Sequence, residues 1–125
     1  MPRKLRKRKW AKKKQPDNLS VVWKDMYEAV PEFTTTRVGP VEKRKDGLRA
    51  QGRWTNGRGR TITDWELDVE KERGGTDMLV KVYLWEKNKR IGETYRVSIS
   101  RSEKVAGKLA IWVYRHVNQI ERLSH

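Results

Sequence analysis

Residues 91–123 pass from a strand into a long helix with no room for a linker, and that junction limits what the rest of the chain can build. Ile91, Glu93, Tyr95, Val97 and Ile99 alternate with Gly92, Thr94, Arg96, Ser98 and Ser100. A period of two predicts a strand with one mainly apolar face and one face of hydroxyls and a guanidinium. Ser100 and Ser102 offer N-cap oxygens, and Glu103 follows Ser100 at capping-box spacing. Val105, Leu109, Trp112, His116, Ile120 and Leu123 then recur at intervals of three and four, which predicts an amphipathic helix over 103–123. That helix can roof the apolar side of the strand's sheet, leaving Thr94, Arg96, Ser98 and Ser100 looking outward.

The preceding segments supply the rest of such a sheet. Val22, Trp23, Met26, Tyr27 and Val30 share one helical face, so 19–30 reads as a short helix closed by Pro31. Within it Trp23 is either a core residue or an exposed platform for stacking on the end of a base-pair column. The Thr- and Val-rich run 33–43 predicts a strand interrupted at Gly39-Pro40, where proline cannot donate to a ladder. A turn at Lys45-Asp46-Gly47 leads to a strand over 48–55, with Arg49, Gln51 and Arg53 on one face. Thr63-Asp64-Trp65-Glu66 has capping-box spacing, which predicts a helix over 63–73, although Trp65, Leu67 and Val69 also alternate as a strand would. Met78, Val80, Val82 and Leu84 alternate with Leu79, Lys81, Tyr83 and Trp85, predicting a strand that turns back into 91–100. The expected fold is α+β: a four-stranded, mostly antiparallel sheet with helices packed on one face, a long C-terminal helix and a disordered basic N-terminal arm.

Charge narrows the choice of partner. Lys and Arg number 30 against 16 acidic residues, a net charge of +14 over 125 residues. Nine of those cations and no acid lie within residues 1–16, which leaves a net charge of five for the remainder. Like charges this dense repel one another, so residues 1–17 are expected to form a disordered arm and residues 18–125 the folded domain. A field of this sign points to a polyanion, nucleic acid before an anionic membrane surface. The arm reads as a solubilising tail, an import signal or a phosphate-neutralising segment. The purity of the run favours the last, with Lys7, Arg8, Lys12 and Lys13 as contacts.

Other function classes find little support. With no cysteine, disulfide frameworks and Cys-based zinc sites are excluded. No apolar run is long enough to span a bilayer. The Asn56-Gly57-Arg58-Gly59-Arg60 loop lacks the Lys-Ser/Thr of a phosphate-binding P-loop. His116 and His125 stand without a catalytic constellation, and Asp64, Glu66, Asp68, Glu70 and Glu72 read as the solvated side of the expected 63–73 helix. No enzyme activity, metal or cofactor is expected.

Leu48-x-x-x-Gly52-x-Trp54-Thr55 and the Val97-Ser98-Ile99-Ser100-x-Ser102 junction resemble the RNA-silencing suppressors of tombusviruses, and the chain length is similar to the small aureusvirus members. The resemblance spans about residues 18–123 and leaves out the arm. It implies a homodimer whose sheets join into a concave saddle over A-form duplex RNA, with contacts to phosphates and 2′-hydroxyls and aromatic residues capping the duplex ends. By position Trp23 matches one of two capping tryptophans. The second is missing, since Ser20 and Met26 stand three residues either side, and Tyr27 is the nearest substitute. The hydroxyl-rich face fits the same picture, because A-form RNA displays 2′-hydroxyls in a wide, shallow minor groove. Thr94, Ser98 and Ser100 are expected on 2′-hydroxyls, and Arg49, Arg53, Lys81 and Arg96 on phosphates.

The resulting expectation is a viral suppressor that sequesters double-stranded or small interfering RNA in the host cytoplasm, with the nucleus as an alternative location. Competing readings are a ribosomal-type cellular RNA-binding protein, a β-sheet DNA-binding module, and a structural protein whose arm is a targeting signal. One capping tryptophan and a strongly basic arm together predict weak length selection. Affinities for duplexes of about 21 and about 50 base pairs should differ by less than about tenfold in a gel-shift titration, and a larger gap sinks that expectation.

Overall fold

A computed structural model describes residues 17–123. The arm and its four proposed contacts Lys7, Arg8, Lys12 and Lys13 lie outside the described residues, as do residues 124–125. Asp17 opens the first helix by accepting the Ser20 backbone N–H at 2.8 Å. That bond holds its carboxyl below its ordinary range. Helix α1 (Asn18–Ala29) buries Leu19, Val22, Trp23 and Met26. It ends at the extended Val30, and Pro31 opens the single-turn helix α2 (Pro31–Thr35) from its first position.

The expected strand over 33–43 is therefore mostly absent. Phe33 is fully buried, and the Thr34 and Thr36 hydroxyls donate back to the Pro31 and Glu32 carbonyls at 2.8 and 2.6 Å. Local hydroxyl bonding of this kind competes with a sheet ladder. Only an isolated bridge from Arg37 to Gly52 and the short β1 (Glu42–Arg44) remain extended.

The sheet has five strands rather than four. β1, β2 (Gly47–Thr55), β3 (Thr61–Lys71), β4 (Met78–Glu86) and β5 (Lys89–Val97) lie side by side in chain order, each antiparallel to the next. β3 is the strand that was not expected: the segment read as a helix over 63–73 is the centre of the sheet. Its Thr63, Trp65, Leu67 and Val69 point into the core, and both β2 and β4 pair with it. The magnitudes explain why the strand wins. A capping box contributes about 0.5–2 kcal/mol, whereas each fully buried large apolar side chain contributes about 1.5–3 kcal/mol. Trp65, Leu67 and Val69 supply three of them.

β4 returns into β5 through Lys87 and Asn88, both with positive φ (50° and 69°), as a tight two-residue hairpin requires. β5 then leads through a short 3₁₀ turn (Ile99–Arg101) into helix α3 (Ser102–Leu123). Val105, Leu109, Val113, Val117 and Ile120 of α3 cover the sheet together with α1. The buried stripe is turned slightly from the expected one: Trp112 and His116 are half-buried, stacked at 4.4 Å, and Leu123 is exposed.

The helical layer locks onto the sheet at Trp65. Phe33 stacks on its ring at 4.3 Å, and its indole N–H donates to Thr36 Oγ1 at 2.9 Å. Trp54 meets Phe33 and Tyr114 edge-on from the neighbouring strand. Gly52 stands opposite Trp65 in register, and a Cβ there would lie 2.5 Å from the Thr36 carbonyl and 2.6 Å from the indole ring. A backbone with no side chain is what lets the tryptophan lie across the strand. Gly52→Ala should cost about 1–3 kcal/mol through overpacking, while Gly57→Ala, with nothing within 4 Å, should leave the midpoint nearly unchanged. Thermal melts of the two variants test this, and equal midpoints would contradict the packing described.

Candidate nucleic-acid interface

Alternation sends β3's other side chains to the face away from the helices. Asp64, Glu66, Asp68 and Glu70 thus form a line of carboxylates along the middle of the open face, with Glu72 just beyond the strand. The predicted phosphate contacts stand on the flanking strands and meet this line. Arg49 reaches Glu66 at 2.9 Å, Glu42 at 3.0 Å and Asp68 at 3.7 Å. Arg53 pairs with Asp64 at 3.5 Å, Lys81 with Glu70 at 3.3 Å and Arg96 with Glu72 at 2.7 Å. One register row crosses the whole sheet as Glu42, Arg49, Asp68, Lys81 and Thr94. The centre of the face is charge-compensated, not basic.

The four cations differ in how easily they could exchange a carboxylate for a phosphate. Arg49 is only 20% exposed, holds three carboxylates and donates to Gln51 as well. Its guanidinium is held protonated chiefly by the Glu66 hydrogen bond. Freeing it would leave half-buried carboxylates unpaired, which makes it a structural residue. Arg53 and Arg96 are 64% and 68% exposed with one carboxylate each, and Lys81 is similarly single-paired. The Arg53–Asp64 pair is exposed on both sides, and such a pair contributes about 0–1 kcal/mol, so a phosphate could replace Asp64 at little cost. Glu72, at 22% exposed, and Lys81, at 35%, make the other two pairs costlier to open.

Trp23 is 8% exposed and stacks on Tyr27 at 5.2 Å inside the helical layer. Of its two readings the structure fits the core residue; it presents no free face to the end of a duplex. Thr94, Arg96 and Ser98 gather at the β5 margin, and Ser98 Oγ lies 3.4 Å from Ser100 Oγ. An open groove of about 460 Å³ runs there, and α3 with its leading turn adds Arg101 and Lys108, which the sequence reading missed. Their signal was present: Arg101 sits between Ser100 and Ser102, and Lys108 lies off the apolar stripe of α3. Tyr83 and Trp85, on the same parity of β4 as Lys81, were also passed over as contacts.

Among the described residues no group of three or more His, Asp or Glu side chains is arranged to hold a metal ion, and no helix is long and apolar enough to cross a membrane. Comparison with protein-family models, with curated proteins and with solved structures found no match to this chain. The family resemblance therefore stands on the sequence motifs alone.

The carboxylate line has a titration consequence. Burial raises the Asp68 carboxyl from 3.8 to about 7, helped by its hydrogen bond to Glu66 and that neighbour's charge. Burial is the largest single influence on Glu66 and opposes its ionisation, but the hydrogen bonds from Arg49 and Asp68 and the charges of Arg49 and Arg90 together outweigh it and hold that carboxyl below its ordinary range. Below about pH 7 the pair therefore carries a proton on Asp68. Between pH 3.8 and about 7 the folded chain keeps a proton that the unfolded chain has released, so this group's contribution to stability falls as pH rises through that window. Asp68→Asn cannot ionise. Its melting temperature relative to the native chain should rise from pH 4 to pH 7.5 in paired thermal melts, and a constant difference would rule the shared proton out.

Proposed function

We propose that this protein binds double-stranded RNA without reading its sequence and, by sequestering duplexes, acts as a viral suppressor of RNA silencing in the host cytoplasm. The observation that carries the reading is the β5 margin, where Thr94, Ser98 and Ser100 present hydroxyls beside Arg96, Arg101 and Lys108. Hydroxyls suit the 2′-OH groups of a shallow A-form minor groove, and the cations suit the phosphates that border it. The carboxylates and cations in the middle of the face cancel one another and offer a phosphate backbone little attraction, so the duplex is held along the margin, with Arg53 and Lys81 as exchangeable contacts further in. Arg49 is left out of the RNA-binding set, and Trp23 supports the domain from within. The basic arm adds phosphate neutralisation.

A homodimer fits this arrangement. β5 offers an edge of nine residues where β1 offers three, and unpaired backbone groups along an edge can be extended by a second copy. Such pairing runs through backbone in the plane of the sheet, and confined to residues 89–93 it leaves the groove at Thr94, Arg96 and Ser98 open to RNA.

In a gel-shift competition the native chain should prefer duplex RNA to duplex DNA of equal length by about tenfold or more, since DNA lacks the 2′-hydroxyls. Arg101→Ala with Lys108→Ala should weaken duplex binding and reduce the slope of log affinity against log salt by about one for each phosphate that is no longer neutralised. Equal affinity for RNA and DNA, or a double variant that binds as the native chain does, would overturn the reading.

A further inference from the structure

The open face carries a second chemistry that phosphate and 2′-hydroxyl contacts leave unused. β4 sends Tyr83 and Trp85 to the same side of the sheet as Lys81, both half-buried, opposite Gly92 and Arg90 of β5. A Cβ on Gly92 would lie 2.5 Å from Tyr83 Cδ1 and 2.9 Å from Cε1. The phenol ring therefore rests on the bare backbone of the next strand. The Arg90 guanidinium stands over that ring, its Cζ 4.3 Å from the ring centre.

Trp85 is held by different means. The Thr63 hydroxyl, 4% exposed, donates to the Trp85 carbonyl at 2.7 Å and accepts the Trp85 N–H at 2.9 Å. A buried side chain thus takes the place of ladder bonds at this residue. The backbone presenting the indole is fixed by Thr63 and does not depend on the indole itself. Trp85 lines an open cavity of about 450 Å³ on this face, together with the exposed Val38 and the polar side chains of Gln51, Arg53 and Asp64. Arg53 and Asp64 are tied only by their exposed 3.5 Å pair, so their hydrogen-bonding groups can turn to a ligand.

We propose that this cavity is a pocket for an unpaired nucleobase of RNA. The base stacks on Trp85, Gln51 and Asp64 hydrogen-bond its edge, and Arg53 meets the adjoining phosphate. Two residues or about 7 Å along the strand, Tyr83 is covered by Gly92 and Arg90, and the Arg90 guanidinium layered on it provides the next stacking step. The occupant follows from the chemistry of the lining. A flat heterocycle uses an aromatic wall and a mixed donor and acceptor edge at once, and base–aromatic stacking accepts any base. The chain's excess of cations favours an anionic polymer as the carrier of that base. This inference rests on the RNA-binding reading and shares Arg53 with it, but its aromatic wall is separate, because bases inside a duplex are stacked on one another and have no free face for Trp85.

Fluorescence anisotropy on the full chain tests it, with a labelled single-stranded RNA of about eight nucleotides and a blunt RNA duplex as probes. Trp85→Ala should weaken the single strand by about tenfold or more and change the duplex by less than about twofold, and Trp85→Phe should recover most of the loss. Thermal melts establish that both variants fold. Unchanged single-strand affinity in Trp85→Ala overturns the pocket, as does an equal loss for both probes or a failure of Trp85→Phe to recover. A native chain that binds the duplex but not the single strand removes the pocket and leaves the duplex reading standing. Trp85-dependent single-strand binding without duplex binding does the reverse. Binding of a proline-rich peptide in place of RNA, abolished in Trp85→Ala, would also overturn it.

Discussion

The central strand carries carboxylates on every second residue, and the rest of the sheet is arranged to tolerate them. Same-face residues along a strand stand about 7 Å apart, close enough for Asp64, Glu66, Asp68 and Glu70 to repel one another across a partly desolvated surface. Cations of the other strands answer them: Arg53 of β2 from the register position opposite Asp64, Arg49 of β2 and Lys81 of β4 diagonally to Glu66 and Glu70, and Arg96 of β5 to Glu72. Where the cations do not suffice, a proton does, and Asp68 retains one. On the opposite side of the same strand Trp65, Leu67 and Val69 anchor the helical layer. One strand therefore sets both the core and the electrostatics of the exposed face.

That constraint redistributes the meaning of the positive charge. A net charge of +14 suggests a uniformly basic surface, yet the cations on the sheet are largely matched by the acids between them. The ones with room to act on a polyanion lie at the β5 margin and on the first turns of α3, where hydroxyls accompany them. The proposed RNA contact is thereby confined to one margin, beside a centre whose charges largely cancel. The same centre, with its flanking aromatic residues, leaves space for a chemistry directed at bases.

Much of the fold was legible where local and long-range preferences agreed. The 78–85 alternation matched the surface that buried it, and the 91–100 alternation did so as far as Val97, with Ile99 exposed in the turn beyond. The α3 stripe did so at Val105, Leu109 and Ile120, while Trp112, His116 and Leu123 turned outward. The helix over 19–30 was signalled by both periodicity and proline. The misreadings fell where the two conflicted. Thr63-Asp64-Trp65-Glu66 has the spacing of a helix start, and Thr34, Thr35 and Thr36 have the composition of a strand. In the first, pairing on both sides outweighed the cap; in the second, Pro31 and hydroxyl-to-carbonyl bonds closed a helical turn around the buried Phe33.

By itself the sequence determined the parity of its strands, the amphipathic face of the last helix and the excess of positive charge, because each is a property of spacing or composition along the chain. It also supplied every side chain now seen at the β5 margin. Only the tertiary structure decided which of those charges meet. Reading 63–73 as a strand in place of a helix moves five acids from a solvated helix side to the midst of the predicted phosphate contacts. Ion pairing depends on distance in space, and residues as far apart in sequence as Arg49 and Glu66, or Glu72 and Arg96, become neighbours only when the sheet is assembled.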